Sequence, residues 1–248
     1  WIAETEWGVQ LFTLERTTIA WAVIIYGFVA AVLPVWLLLA PRDYLSTFLK
    51  IGAITALAIG IVVMAPDLRM PALTPFVDGG GPAWSGSLFP FLFITIACGA
   101  LSGFHSLISS GTTPKLLEKE SQMRLIGYGG MLTESFVAIM ALITAAILNQ
   151  HLYFAMNAPA ASTGTTAQTA ADYVNGLGLS GDPITAQEID DAAKGVGESS
   201  IVSRTGGAPT LAFGMSEVLH KVFGGEALKA FWYHFAIMFE ALFILTSV

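Results

Sequence analysis

Charge is scarce in this sequence. Asp, Glu, Lys and Arg together make up 12% of its 248 residues, about half the share usual in soluble chains, which argues against an ordinary water-soluble globule. Basic runs are missing too. With 18 acids against 11 bases and a formal net charge of −7, there is no electrostatic footprint for a nucleic-acid partner. The lone cysteine, Cys98, has no second thiol in the chain to pair with and lies in an apolar segment, so it reports nothing about redox compartment. No phosphate loop or dinucleotide fingerprint occurs. No His, Cys or Asp cluster has ligand spacing, so neither a cofactor nor a metal site is expected. No basic start followed by a cleavage site marks a signal peptide. The chain runs from Trp1 to Val248, the latter inside an apolar run, and reads as a piece of a longer polypeptide, with no internal repeat within it.

What the sequence has instead is apolar length. Hydrophobic residues make up 54% of it, and its mean hydropathy is positive. A bilayer core about 30 Å thick takes roughly 20 apolar residues in a helix. TTIAWAVIIYGFVAAVLPVWLLLA at 17–40 meets that length without a charge, and Pro34 predicts a kink in it. PRD at 41–43 reads as a turn into a second span at 44–65, whose Lys50 is near enough to the end to snorkel. After a Pro/Gly-rich loop at 66–87 come a third span at 88–110 and a fourth at 127–149, and 227–248 opens a fifth. The expected class is all-α: a polytopic transmembrane helix bundle, with four spans in 1–149.

Residues 150–226 differ, being rich in Gly, Ala, Ser and Thr. DPITAQEIDDAAKGVG reads as a short surface helix between Pro183 and a following glycine. In APTLAFGMSEVLHKVFGG, at 208–225, apolar residues fall at 211, 215, 218, 219 and 222. That spacing is amphipathic and helical but too short to span, so this segment is expected on the membrane surface or as a re-entrant helix. Arg42, Lys115, Lys119 and Arg124, with Lys50 close by, outnumber Arg16 and Arg69 on the opposite side. Their side is expected to be cytoplasmic, which makes 150–226 an external loop region.

Polar residues interrupt the spans in a pattern. Steps of four and three along the third span give Phe91, Thr95, Cys98, Ser102, His105, Ser109 and Thr112, one face of a helix. Such a stripe does not suit lipid and belongs against other helices or water. Small residues and hydroxyls also glue membrane helices together, so the serines admit a packing reading. His105 is read as functional, because an intramembrane imidazole is costly and suited to accepting and releasing protons. The fourth span has a matching stripe, Gly127, Gly130, Glu134, Ala138, Ala141 and Ala145. There Glu134 is either a proton carrier or a hydrogen-bonded carboxylic acid. Glu240, near the middle of the last span, poses the same choice, while Tyr233 and His234 near its start read as interface anchors. SSGTTPK is a helix break: Gly111 suits a C-terminal cap, Thr113 an N-cap and Pro114 a first helical position. With Ser109, Ser110, Thr112 and Lys115 beside it, the new start is a candidate anion or carboxylate site. An ordinary surface turn explains the same spacing.

Four blocks, SLFPFLFITIACGALSGFHSLISSGTTPKLLEKE, GYGGMLTESFVAIMAL, RTGGAPTLAFG and FWYHFAIMFEALFILT, resemble in this order the carbon starvation protein A family of bacterial inner-membrane transporters. The resemblance covers most of 84–248, and members of the family are considerably longer. It implies an inverted-repeat fold with discontinuous helices. It also implies uptake of peptides or, in one branch, proton-coupled uptake of pyruvate. The leading expectation is thus a secondary transporter, not an enzyme, with His105, Glu134, Ser102, Ser109, Ser110, Thr112, Thr113 and Glu240 on a substrate or proton path. Its partners would be a small-molecule substrate, protons and the bilayer, with no protein partner identified. The second expectation is a membrane signalling or scaffold protein whose external loop binds a partner.

Overall fold

The computed structural model describes residues 5, 14–34, 36–93, 110–111 and 113–247, with the backbone alone at 16, 39, 43 and 242–247. Among the described residues all regular structure is helical. The chain divides into two compact units, one of residues 1–53 with 238–248, the other of 54–237.

The first unit contains α1 (Arg16–Val32), the opening of α2 (Leu39–Met64) and the end of the last helix. Helix α1 does not run the length of the apolar stretch 17–40. Leu33 is extended, with φ −73° and ψ 149°, because a residue ahead of proline is forced out of the helical region and Pro34 has no N–H to give. α1 therefore stops after 17 residues, about 25 Å of helix and short of a full crossing. PRD is no turn either: Pro41 and Arg42 lie in the first turns of α2, where proline's missing N–H would have had no partner anyway. Arg42 donates a hydrogen bond to the Tyr26 hydroxyl.

The second unit is built around two helices and a packed cap. α2 runs on to Met64. Residues 88–93 are helical as far as they are described. Ser110 and Gly111 form a wide π-type turn, followed by the single turn α3 (Thr113–Leu116). α4 (Met123–Ala146) begins four residues before the expected fourth span and ends three before its limit. It ends where Asn149 starts a new helix, its side chain accepting from the His151 and Leu152 amides at 2.8 and 3.4 Å. Segments 40–64 and 120–146 are long and apolar enough to cross a bilayer. Most of their apolar side chains are uncovered, Val62, Leu125 and Leu142 among them, which is the distribution a lipid solvent allows.

The core gathers around the C-terminal ends of those helices, taking in Leu57 of α2 and Met140 of α4. α5 (Gln150–Asn157), α6 (Ala160–Thr163), α7 (Ala167–Asn175), α8 (Ala186–Gly195) and α9 (Ala208–Val222) pack into a cap ahead of α10 (Lys229–Ser247). Met156, Val174, Val196, Val218 and Leu219 are fully enclosed in it. The helix read from DPITAQEIDDAAKGVG is α8. A capping box sets its start: Thr185 accepts from the Glu188 amide, and the Glu188 carboxylate accepts from the Thr185 amide at 2.7 Å. Those hydrogen bonds hold the Glu188 carboxyl below the usual glutamate range. The amphipathic segment is α9, and it is covered on more than its apolar stripe. Thr210, Phe213, Ser216 and His220 are buried along with Met215, Val218 and Leu219.

Glycines set how closely α9 approaches its neighbours. A Cβ on Gly214 would stand 2.3 Å from the Thr144 carbonyl oxygen of α4, and one on Gly60 of α2 would stand 2.7 Å from Val218 Cγ1. α9 is therefore seated against the C-terminal ends of both long helices. The loop after α2 is pinned to the same place, since the Arg69 and Met70 amides both donate to the Ala146 carbonyl, at 2.8 and 3.1 Å. That carbonyl belongs to the last turn of α4 and would otherwise lack a helical partner.

Candidate functional site

Ser102, His105, Ser109 and Thr112 lie outside the described residues. Ser110 lies in the π-type turn, and Thr113 is the first residue of α3, a single turn of four residues. Glu134 sits halfway along α4, exposed, and among the described residues it has no hydrogen-bond or ion-pair partner. The stripe it belongs to is open, with nothing within 4 Å of a Cβ built on Gly127 or Gly130. Glu240, on α10, is buried at 9% exposure, and its Oε1 makes no hydrogen bond among the described residues. No described contact joins Glu134 to Ser110 or Thr113.

What folding does assemble is a cleft at the seam between cap and long helices. Its volume is about 420 Å³, within the range of small-molecule sites. The end of α2 and the following loop contribute Met64, Asp67 and Arg69, and the turn after α4 contributes Leu148 and Asn149. α9 contributes Phe213, Glu217 and Lys221 at steps of four, which places them on one face, and α10 contributes Lys229 from its first residue. Lys229 is committed: it pairs with Glu217 at 2.5 Å, and its ammonium lies 5.6 Å from the centre of the Phe213 ring. Arg69, Lys221 and Asp67 are exposed and make no ion pair among the described residues.

Two buried histidines border this region. His220 closes the end of α9, with Nδ1 at 2.6 Å from the Ser216 carbonyl and Nε2 at 2.9 Å from the Glu226 carboxylate. His151 is 3% exposed, and its Nδ1 lacks a partner among the described residues. Burial pushes that imidazole below its ordinary value and so favours the neutral ring. Sequence reasoning missed both histidines and all of the cleft. The only local signal was the charge in APDLRM straight after an apolar run. Asp67, Glu217 and Lys229 are too far apart in the chain for spacing to connect them.

Two helices of bilayer length with uncovered apolar surfaces, and a packed helical cap at their C-terminal ends, fit the class of helical membrane proteins. Residues 1–248 match the family Carbon starvation protein CstA. The chain belongs to that family. It is 68% identical, along its whole length, to a protein of Mycobacterium tuberculosis (strain ATCC 25618 / H37Rv) named Peptide transporter CstA, covering 33% of that protein. It is 61% identical, again over its whole length, to Peptide transporter CstA of Escherichia coli (strain K12), covering 36% of it. Over 98% of its residues it is 55% identical to Pyruvate/proton symporter BtsT of the same strain, covering 36% of that protein. The chain thus spans about a third of the length of the curated relatives it matches. No solved structure matches it.

Proposed function

We propose that this chain is a section of a secondary active transporter in the bacterial inner membrane. The whole protein takes up peptides or a small carboxylate such as pyruvate, coupled to protons, in response to carbon starvation. The observation that carries this is end-to-end similarity, at 55–68% identity, to proteins named as a peptide transporter and as a pyruvate/proton symporter. On this reading Ser102, His105, Ser109, Ser110, Thr112 and Thr113 with Glu134 and Glu240 form the substrate or proton path. The fold is a multi-pass bundle with inverted repeats and a helix broken at 109–115. The test is uptake by the full-length protein in proteoliposomes: adding pyruvate or a dipeptide outside is expected to draw protons inward with it. Solute entry without proton entry would remove the coupling, and no entry of either solute would remove the transport reading.

The arrangement of the helix ends supports several crossings. The loop that ends α2 is bonded to the last turn of α4, so the C-terminal ends of both helices lie on one side. Two spans running in the same direction need an odd number of crossings between them, and the apolar stretch 88–110 is the segment available. The cap 150–226 and the cleft then lie on that side, which the distribution of Lys and Arg makes external. A reporter fused within 160–200 is expected to behave as external and one within 115–124 as cytoplasmic. The reverse pattern would overturn this orientation while leaving transport untouched.

A further inference from the structure

We propose that the cleft between the ends of α2 and α4 and the face of α9 is the capture site for the carboxylate of the incoming solute, with Arg69 and Lys221 as the groups that hold it. The proposal rests on the transport reading above and adds to it a place and a chemistry. The cleft is lined by three cations, Arg69, Lys221 and Lys229, against two acids, Asp67 and Glu217. The Lys229–Glu217 pair neutralises one of each. What remains is two cations against Asp67, a site biased towards a small anion. An amino group carried by the same solute would find Asp67 beside it. The apolar part of the wall, Met64, Leu148, Leu152 and Phe213, excludes water from one side of a bound solute and strengthens the charge interactions on the other.

Position and preorganisation agree with that chemistry. Arg69 is not on a free loop: its own amide and that of Met70 are tied to the end of α4. Lys221 stands in the last turn of a helix whose inner face is buried in the cap, where a cation also suits the negative end of the helix dipole. The competing occupant is an anionic lipid headgroup, because basic side chains near the ends of spans attract such lipids. A zwitterionic solute is favoured by Asp67, which can pair with its ammonium group, whereas a phosphatidylglycerol headgroup carries no cation to offer it.

The experiment uses the full-length protein in liposomes of phosphatidylcholine alone and of phosphatidylcholine with phosphatidylglycerol, with pyruvate and L-alanyl-L-alanine as probes. Arg69→Gln and Lys221→Gln are each expected to raise the half-saturating external concentration about tenfold in both lipids, the loss of one charge-assisted hydrogen bond, with the maximal rate little changed. Arg69→Lys should recover part of the loss. The C-terminal amide of the dipeptide should compete weakly with wild type and no worse with Arg69→Gln. Equilibrium binding of the same probes, followed by tryptophan fluorescence in detergent, separates the site from the transport reading. Binding that weakens in both variants supports the site even if uptake fails. Unchanged half-saturation and binding in the variants overturn it, as does an effect seen only with phosphatidylglycerol.

Discussion

Glu134→Gln is expected to abolish uphill, proton-driven accumulation by the full-length protein while leaving expression and solute exchange without a gradient. The residue is 11 positions into α4, about 16 Å along a helix of roughly 36 Å, which would put it near the middle of a bilayer that α4 crosses. A carboxylate facing lipid at that depth is costly, by about 3 kcal/mol on insertion scales. Yet nothing described covers it, and the adjacent Gly127 and Gly130 leave the same face open. An uncovered acid at mid-membrane has to face water or another polar helix, and the polar stripe carrying His105 is the sequence's one extended match. Glutamine keeps the shape and most of the hydrogen bonding and removes only the titrating proton. The measurement is accumulation under an imposed pH gradient set against exchange without one. His105→Gln should impair accumulation as well. Normal gradient-driven accumulation in Glu134→Gln would make Glu134 structural and move the proton path elsewhere, with Glu240 the next residue to test.

How much of this could be read from the sequence depends on the range over which each feature is determined. Local signals worked where the chain decides locally. The helix read between Pro183 and a following glycine is α8, and within 208–225 a helix over Ala208–Val222 forms where the apolar spacing places one. Proline misled in both directions, since a bare run of apolar residues does not reveal that Pro34 ends α1 or that Pro41 sits comfortably in the first turn of α2. The cap was nearly invisible because alanines make up much of its core, set among larger residues such as Met156, Val196 and Leu219. Ala155, Ala170, Ala171, Ala193 and Ala212 are each 2% exposed or less, and a segment rich in Ala, Gly and Ser gives a weak hydropathy signal even when it packs tightly. The cleft was invisible for another reason. Its charges come from residues 67, 69, 217, 221 and 229, which meet only after α9 has docked on both long helices.

That docking is where the second large effect falls. Gly214→Ala should destabilise the protein by about 2 kcal/mol or more, as overpacking of a filled interface does, although alanine is favoured over glycine inside a helix by up to about 1 kcal/mol. The clash decides the sign. The new methyl would stand 2.3 Å from the Thr144 carbonyl oxygen and 2.9 Å from its carbon. These are backbone atoms of α4 that cannot turn aside as a side chain would. Thr144→Ala should therefore not rescue the variant. Gly176→Ala is the matched control, because its Cβ would meet only carbonyl oxygens at 3.4 and 3.5 Å, at a site with ordinary helical φ. Thermal unfolding of the full-length protein in detergent should show a clear drop for Gly214→Ala and none for Gly176→Ala. Equal midpoints would mean that α9 is not seated on α4 as described. The same substitution carries a functional consequence, because Phe213, Glu217 and Lys221 ride on α9. Pushing that helix off α4 displaces one whole wall of the cleft. At temperatures where Gly214→Ala is still folded, the external concentration giving half-maximal uptake should rise well above that of Gly176→Ala.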